Sequence, residues 1–108
     1  MNKEIKARWI EALRSGKYKQ GRSFLKIKEG FCCLGVLCEL AVEDKIIEPA
    51  IRSLSNNDYW TYLGQNKIPP KIIEKWAELD DPTMVELAKM NDNAYRFDEI
   101  AKYIEEKL

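Results

Sequence analysis

Two short stretches place side chains that could hold a ligand. In Tyr18-Lys19-Gln20-Gly21-Arg22, Arg22 offers a planar fork for phosphate or carboxylate, and Gln20 can both donate and accept. Tyr18 adds a ring that could stack on a base, and Gly21 lets a ligand approach the backbone closely. Asn91-Asp92-Asn93 supplies further amide and carboxylate groups. It resembles a calcium loop only superficially: counted from Asp92, position 3 is Ala94 and the required glycine at position 6 is missing. Asn91 and Asp92 could hydrogen-bond a ligand across a cleft from Tyr18, Gln20 and Arg22. The commoner role of such residues is to satisfy backbone groups at a turn between helices.

The third reactive set is Cys32, Cys33 and Cys38. Structural zinc takes four ligands, usually from paired cysteines or from cysteine with histidine. Three cysteines with no histidine and no C-x-x-C spacing point away from a metal. A nucleophilic cysteine needs a cation, a histidine or a helix N-terminus to favour its thiolate. Cys32 and Cys33 could stand at such a terminus, but a buried cysteine more often acts as a small apolar side chain. The absence of histidine removes the commonest general base. The plentiful carboxylates form no acid–base pair that stands out. The residues therefore show no catalytic set, and the chain reads as a binder that needs no cofactor and no metal rather than as an enzyme.

The elements that position these groups follow from periodicity. The chain has 108 residues, 45% hydrophobic and 33% charged, which suits one globular domain over residues 1–108. Isolated lysines and glutamates at the start, and the lack of a long apolar run, predict a soluble cytoplasmic protein with no membrane contact. An odd cysteine count fits a reducing compartment.

Residues 2–15 read as a helix with Ile5, Trp9, Ala12 and Leu13 on one face, stopped at Gly16. Alternation over residues 23–27, followed by Lys28-Glu29-Gly30, predicts a small β-hairpin whose second arm lies near Phe31. Phe31-Cys32-Cys33-Leu34-Gly35-Val36-Leu37-Cys38 is the most apolar stretch. It predicts a central buried helix over residues 32–44, in which Gly35 is explained by the close approach of another backbone.

Residues 46–70, with a Ser55-Asn56-Asn57-Asp58 turn cluster, read as an ordered loop wrapping the core. Pro70 at the first helical position should open a helix reaching Leu79, with Ile72, Ile73, Trp76 and Leu79 inside. Asp81 as N-cap with Pro82 at N1 should open the next, with Met84, Val85, Leu87, Ala88 and Met90 on its apolar side. Asn91-Asp92-Asn93 should break it. A last helix is expected over Phe97–Lys107. The fold class is mainly α (α+β): four to five short helices around a buried central one, with one hairpin.

Charge is uneven. Residues 1–28 carry nine lysines and arginines against Glu4 and Glu11, a net of +7, so the rest sums to −7. Either the two halves neutralise each other across the fold, or a basic face is left for phosphates.

Several blocks are familiar together. Gln20-Gly21-Arg22, the Phe31 to Cys38 block continuing Glu39-Leu40-Ala41, Ile68-Pro69-Pro70 with Trp76-Ala77-Glu78-Leu79-Asp80-Asp81-Pro82, and Met90-Asn91-Asp92 with Phe97-Asp98-Glu99-Ile100-Ala101 resemble a family of small proteins encoded by bacteriophages and prophages. Members often have Leu where this chain has Met90, and Gly and Ser near Ala94 and Arg96. The family has no settled activity. The resemblance implies a phage origin, and small phage accessory proteins commonly act on host defence or host machinery inside the bacterial cytoplasm.

Three functions follow as expectations. The first is a non-enzymatic anti-defence protein that sequesters a nucleotide-like ligand through Tyr18, Gln20, Arg22, Asn91 and Asp92. The second is an inhibitor of a host protein that docks through Tyr59, Trp60 and Tyr62, residue types typical of interface anchors. The third, and least favoured, is a nucleic-acid binder on the +7 segment.

Overall fold

The computed structural model describes residues 1–54 and 58–108. Ser55, Asn56 and Asn57 of the expected turn lie outside the described residues. Five helices and a small antiparallel sheet follow in the order α1 Lys3–Arg14, β1 Lys26–Ile27, β2 Gly30–Phe31, α2 Cys33–Glu43, β3 Ile51–Arg52, β4 Tyr59–Thr61, α3 Lys71–Ala77, α4 Asp81–Asp92 and α5 Phe97–Lys107. The mainly helical α+β class expected from periodicity is the class observed.

Helix α1 starts where Asn2 Oδ1 accepts the Ile5 N–H at 3.0 Å and ends before Gly16, whose φ is +76°. Its buried stripe is Ile5, Trp9 and Leu13, which packs chiefly on α5 and α2. Helix α2 is buried along nearly its whole length, from Cys33 to Ala41 with only Glu39 partly exposed. Trp9 Nε1 donates to the Cys33 carbonyl at 2.9 Å, so the bulkiest core ring is satisfied as it crosses α2.

Gly35 lets the backbone before β1 lie directly on α2. A Cβ added there would overlap the Leu25 carbonyl oxygen and stand 2.8 Å from its carbon. That contact accounts for a glycine in the middle of a buried helix, where it costs about 1 kcal/mol relative to alanine.

The expected hairpin is β1–β2, with Lys26 opposite Phe31. It is not alone. Residues 46–70 do not form the plain wrapping loop expected for them: β3 and β4 add to the hairpin in the order β2-β1-β4-β3. Strands of two and three residues are too short to show alternation, and pairing partners stabilise them, so no sequence signal marks them.

Four boundaries also differ. Pro70 is the N-cap of α3, with extended ψ, rather than its first helical residue. Helix α3 stops at Ala77, because Glu78 turns left-handed at φ +54° and swings Leu79 into the core; Ile72 is left 43% exposed. The N-cap of α4 is Asp80, not Asp81: its carboxylate accepts the Thr83 N–H at 2.9 Å, so Pro82 sits one position further in. Helix α4 continues through Asn91 and Asp92 rather than breaking there, since both side chains are engaged away from their own backbone.

Candidate functional site

Three elements meet at the N-terminus of α2. The first N–H groups of a helix have no partner within it, and here that end is buried. Cys32, the N-cap, takes the Leu34 N–H on its sulfur at 3.2 Å. The Cys33 N–H is taken by Asn91 Oδ1 at 3.2 Å, from the last turn of α4. Asn91 is fully buried. Its Nδ2 donates to the Gly21 carbonyl at 2.8 Å, and its Oδ1 also accepts from Gln20 Nε2 at 2.8 Å. Gln20 further donates to the Tyr95 carbonyl at 2.8 Å, and its Oε1 accepts the Phe97 N–H at 3.1 Å, capping α5. Asp92 Oδ1 accepts the Ser23 N–H at 2.9 Å.

The structure brings Gln20, Asn91 and Asp92 into one neighbourhood. It joins Gln20 and Asn91 to each other and to backbone: every polar atom of these two amides has a protein partner. They tie the loop before β1 to the starts of α2 and α5. Arg22 follows this knot directly, is exposed, and makes no ion pair among the described residues. Tyr18 lies elsewhere. Its ring stands edge-on to Phe31 at 5.4 Å and borders a shallow cleft between α1 and α2 with Arg8, Lys17 and Glu43. Burial pushes the Tyr18 hydroxyl pKa up, against the opposing pull of Lys17.

A cleft of about 220 Å³ opens beside the knot. Cys32, Ile68, Val85 and Ala88 give it an apolar lining, and Ser23, Phe24, Lys67, Lys89 and Asp92 bring its polar and aromatic groups. Phe24 stacks on Tyr59, with rings 4.5 Å apart and 7° from parallel, and Lys67 Nζ lies 5.6 Å from the Phe24 ring. Lys67 and Lys89 make no ion pair among the described residues. The Cys32 thiol pKa is lowered by its hydrogen bond with Cys33 and by the Leu34 and Gly35 N–H groups, against burial. Burial drives the Cys33 and Cys38 thiols well up. The two unpaired ammoniums attract anions to the cleft, against the Asp92 carboxylate on its wall.

Of these residues, sequence reasoning named Asp92 and weighed Cys32. Val85, Ala88, Lys89 and Asp92 fall at i, i+3, i+4 and i+7 on α4, a stripe that was legible. Phe24 and Lys67 come together only through the fold. The expected interface trio is divided. Tyr62 belongs to the core: it is fully buried, with its hydroxyl donating to Glu39 at 2.6 Å. Tyr59 and Trp60 remain half-buried on the sheet. Among the described residues no group of three or more cysteines and carboxylates could hold a metal, and no helix is long and apolar enough to cross a membrane.

Neither the curated proteins nor the solved structures include a match to this chain. A family model described as Domain of unknown function (DUF8296) matches residues 1–108, and the chain belongs to that family.

Proposed function

We propose that the protein binds a nucleotide-like anion without transforming it, in the cleft between the loop before β1 and helix α4. The observation that carries this reading is the combination in one cleft of the unpaired Lys67 and Lys89, the Phe24 ring backed by Tyr59, and the hydrogen-bonding Ser23 and Asp92. At about 220 Å³ the cleft is smaller than the roughly 300–1,000 Å³ of drug-sized sites. It suits a phosphate or sugar-phosphate end, with the base lying outside against the aromatic pair. Arg22, exposed beside Ser23, is placed to meet a second phosphate. Gln20 and Asn91 hold the walls rather than touch the ligand.

The resemblance to phage-encoded proteins gives this binding a purpose: titrating a host signalling nucleotide, in the bacterial cytoplasm, so that a defence response is not triggered.

Native mass spectrometry and calorimetry against mono-, di- and cyclic nucleotides test the proposal. One class should bind. Lys67→Ala with Lys89→Ala should weaken it by at least about tenfold, since each charge-assisted hydrogen bond contributes roughly 1.5–3 kcal/mol. Arg22→Ala should weaken ligands with two or more phosphates most. If no nucleotide binds, or if binding ignores all three substitutions, the site is wrong.

A further inference from the structure

A second feature lies on the sheet and shares no residue with the cleft. Direct pairing across the four strands sets Phe31 opposite Lys26, Lys26 opposite Trp60, and Trp60 opposite Arg52. The row alternates aromatic, cation, aromatic, cation. Directly paired residues share a face of the sheet, and the contacts agree. Lys26 Nζ lies 5.4 Å from the centroids of both Phe31 and Trp60, and the Arg52 guanidinium lies 5.6 Å from Trp60. The Phe31 end leans on Tyr18 and the core, whereas Trp60 stands outside the core cluster.

Of the two cations in the row, Arg52 pairs at 2.8 Å with the exposed Asp58 carboxylate, whereas Lys26 makes no ion pair among the described residues. From Ala12 to Lys28 the chain has six basic residues and no acidic one. Arg14 and Lys17 are paired with Glu105 and Glu43. Lys19, Arg22, Lys26 and Lys28 make no ion pair among the described residues. The acidic residues thus pair Arg8 and Arg14 of α1 and Arg52 of β3, and leave Lys26 on β1 without an ion pair among the described residues.

We propose that this sheet face docks single-stranded nucleic acid. Three strand spacings of about 4.8 Å make the row about 14 Å long, roughly four stacked nucleotides at about 3.4 Å each. Unpaired bases have free faces to stack on Trp60; Lys26 meets the backbone directly, and Arg52 does so by exchanging the exposed Asp58 carboxylate for a phosphate. On binding, the cations move from ring to phosphate and uncover the indole. A duplex hides its base faces and gains only the charge. An acidic polypeptide gains only the charge as well, so the aromatic half of the row favours a nucleic acid strand.

Fluorescence anisotropy of labelled oligo-dT of about 12 nucleotides, titrated at about 25 mM salt, tests this. Saturable binding that falls as salt rises is expected. Trp60→Ala should weaken it at least about fivefold, the lower end of what loss of a stacking platform causes. Lys26→Gln with Arg52→Gln should reduce the slope of log K against log salt by about 1.4, or about 0.7 per lost contact. Circular dichroism confirms that each variant keeps its fold. Absence of binding at low salt, wild-type affinity in Trp60→Ala, equal affinity for duplex of the same length, or equal competition by polyglutamate would each overturn the proposal.

Discussion

Asn91→Ala should be among the most damaging substitutions of a polar residue in this chain. Asn91 is fully buried and makes three hydrogen bonds, to the Gly21 carbonyl, the Cys33 N–H and the Gln20 amide. Truncation leaves the first two groups buried and unpaired. Each such orphan costs about 1–3 kcal/mol, so the loss is about 2–6 kcal/mol against a total stability of about 5–15. Gln20, half-buried, keeps its bonds to Tyr95 and Phe97 and adds little. At about 4–8 °C per kcal/mol for a domain near this size, Tm should fall by at least about 8 °C. Urea denaturation followed by tryptophan fluorescence measures the change. Gln20→Ala is the internal comparison: Asn91 would keep Gly21 and Cys33, so the cost should be nearer about 1 kcal/mol. The double variant should cost less than the sum, because both singles break the same amide–amide bond. A loss below about 1 kcal/mol for Asn91→Ala, or one no larger than that of Gln20→Ala, would refute the claim that the buried amide holds α2, α4 and the loop before β1 together.

Other outcomes follow from the same geometry. Gly35→Ala drives a methyl into the Leu25 carbonyl, whose residue is fixed on both sides by bonds from Leu25 N–H to Asn66 and from Cys32 N–H to Leu25. The cost should reach about 3 kcal/mol or more, read as a lowered urea midpoint or loss of soluble expression. Raising the pH should destabilise the protein from about pH 9 upward. Cys33, Cys38 and Tyr62 have folded pKa values raised by burial above their ordinary 9.0 and 10.0. Groups raised in this way contribute stability below the unfolded pKa and lose it as pH rises towards the folded one. Tyr62→Phe should flatten the alkaline limb of a stability–pH curve, and an unchanged curve would contradict the assignment. Among the three thiols, Cys32 should be the first modified by a small thiol reagent in the native protein, because its pKa is lowered while those of Cys33 and Cys38 are raised. Peptide mapping by mass spectrometry reads the order, and preferential labelling of Cys33 or Cys38 would reverse that assignment.

The helices were legible because each buries a stripe at helical spacing and carries its own end signals. Gly16 supplies a left-handed stop, and Phe97–Lys107 an amphipathic stripe whose predicted bounds are those observed, while the acidic cap of α4 was expected one residue late, at Asp81 rather than Asp80. The buried character of α2, the close approach at Gly35 and the hairpin after Lys26 follow from local composition. The remaining features depend on partners distant along the chain. Strands β3 and β4 exist because β1 offers them an edge. Tyr62 is a core residue because Glu39 lies within reach of its hydroxyl. Gln20 and Asn91, 71 positions apart, were recognisable as hydrogen-bonding groups that could meet a ligand, but nothing local fixes what satisfies them. A buried amide takes whichever donors and acceptors the packing brings to it, and here packing brought it the unpaired ends of two helices. The same packing gathered Phe24, Lys67 and Lys89 around Cys32. Short-range periodicity and capping chemistry therefore determined the elements, and only the tertiary structure decided which polar groups hold the fold and which remain free to meet a ligand.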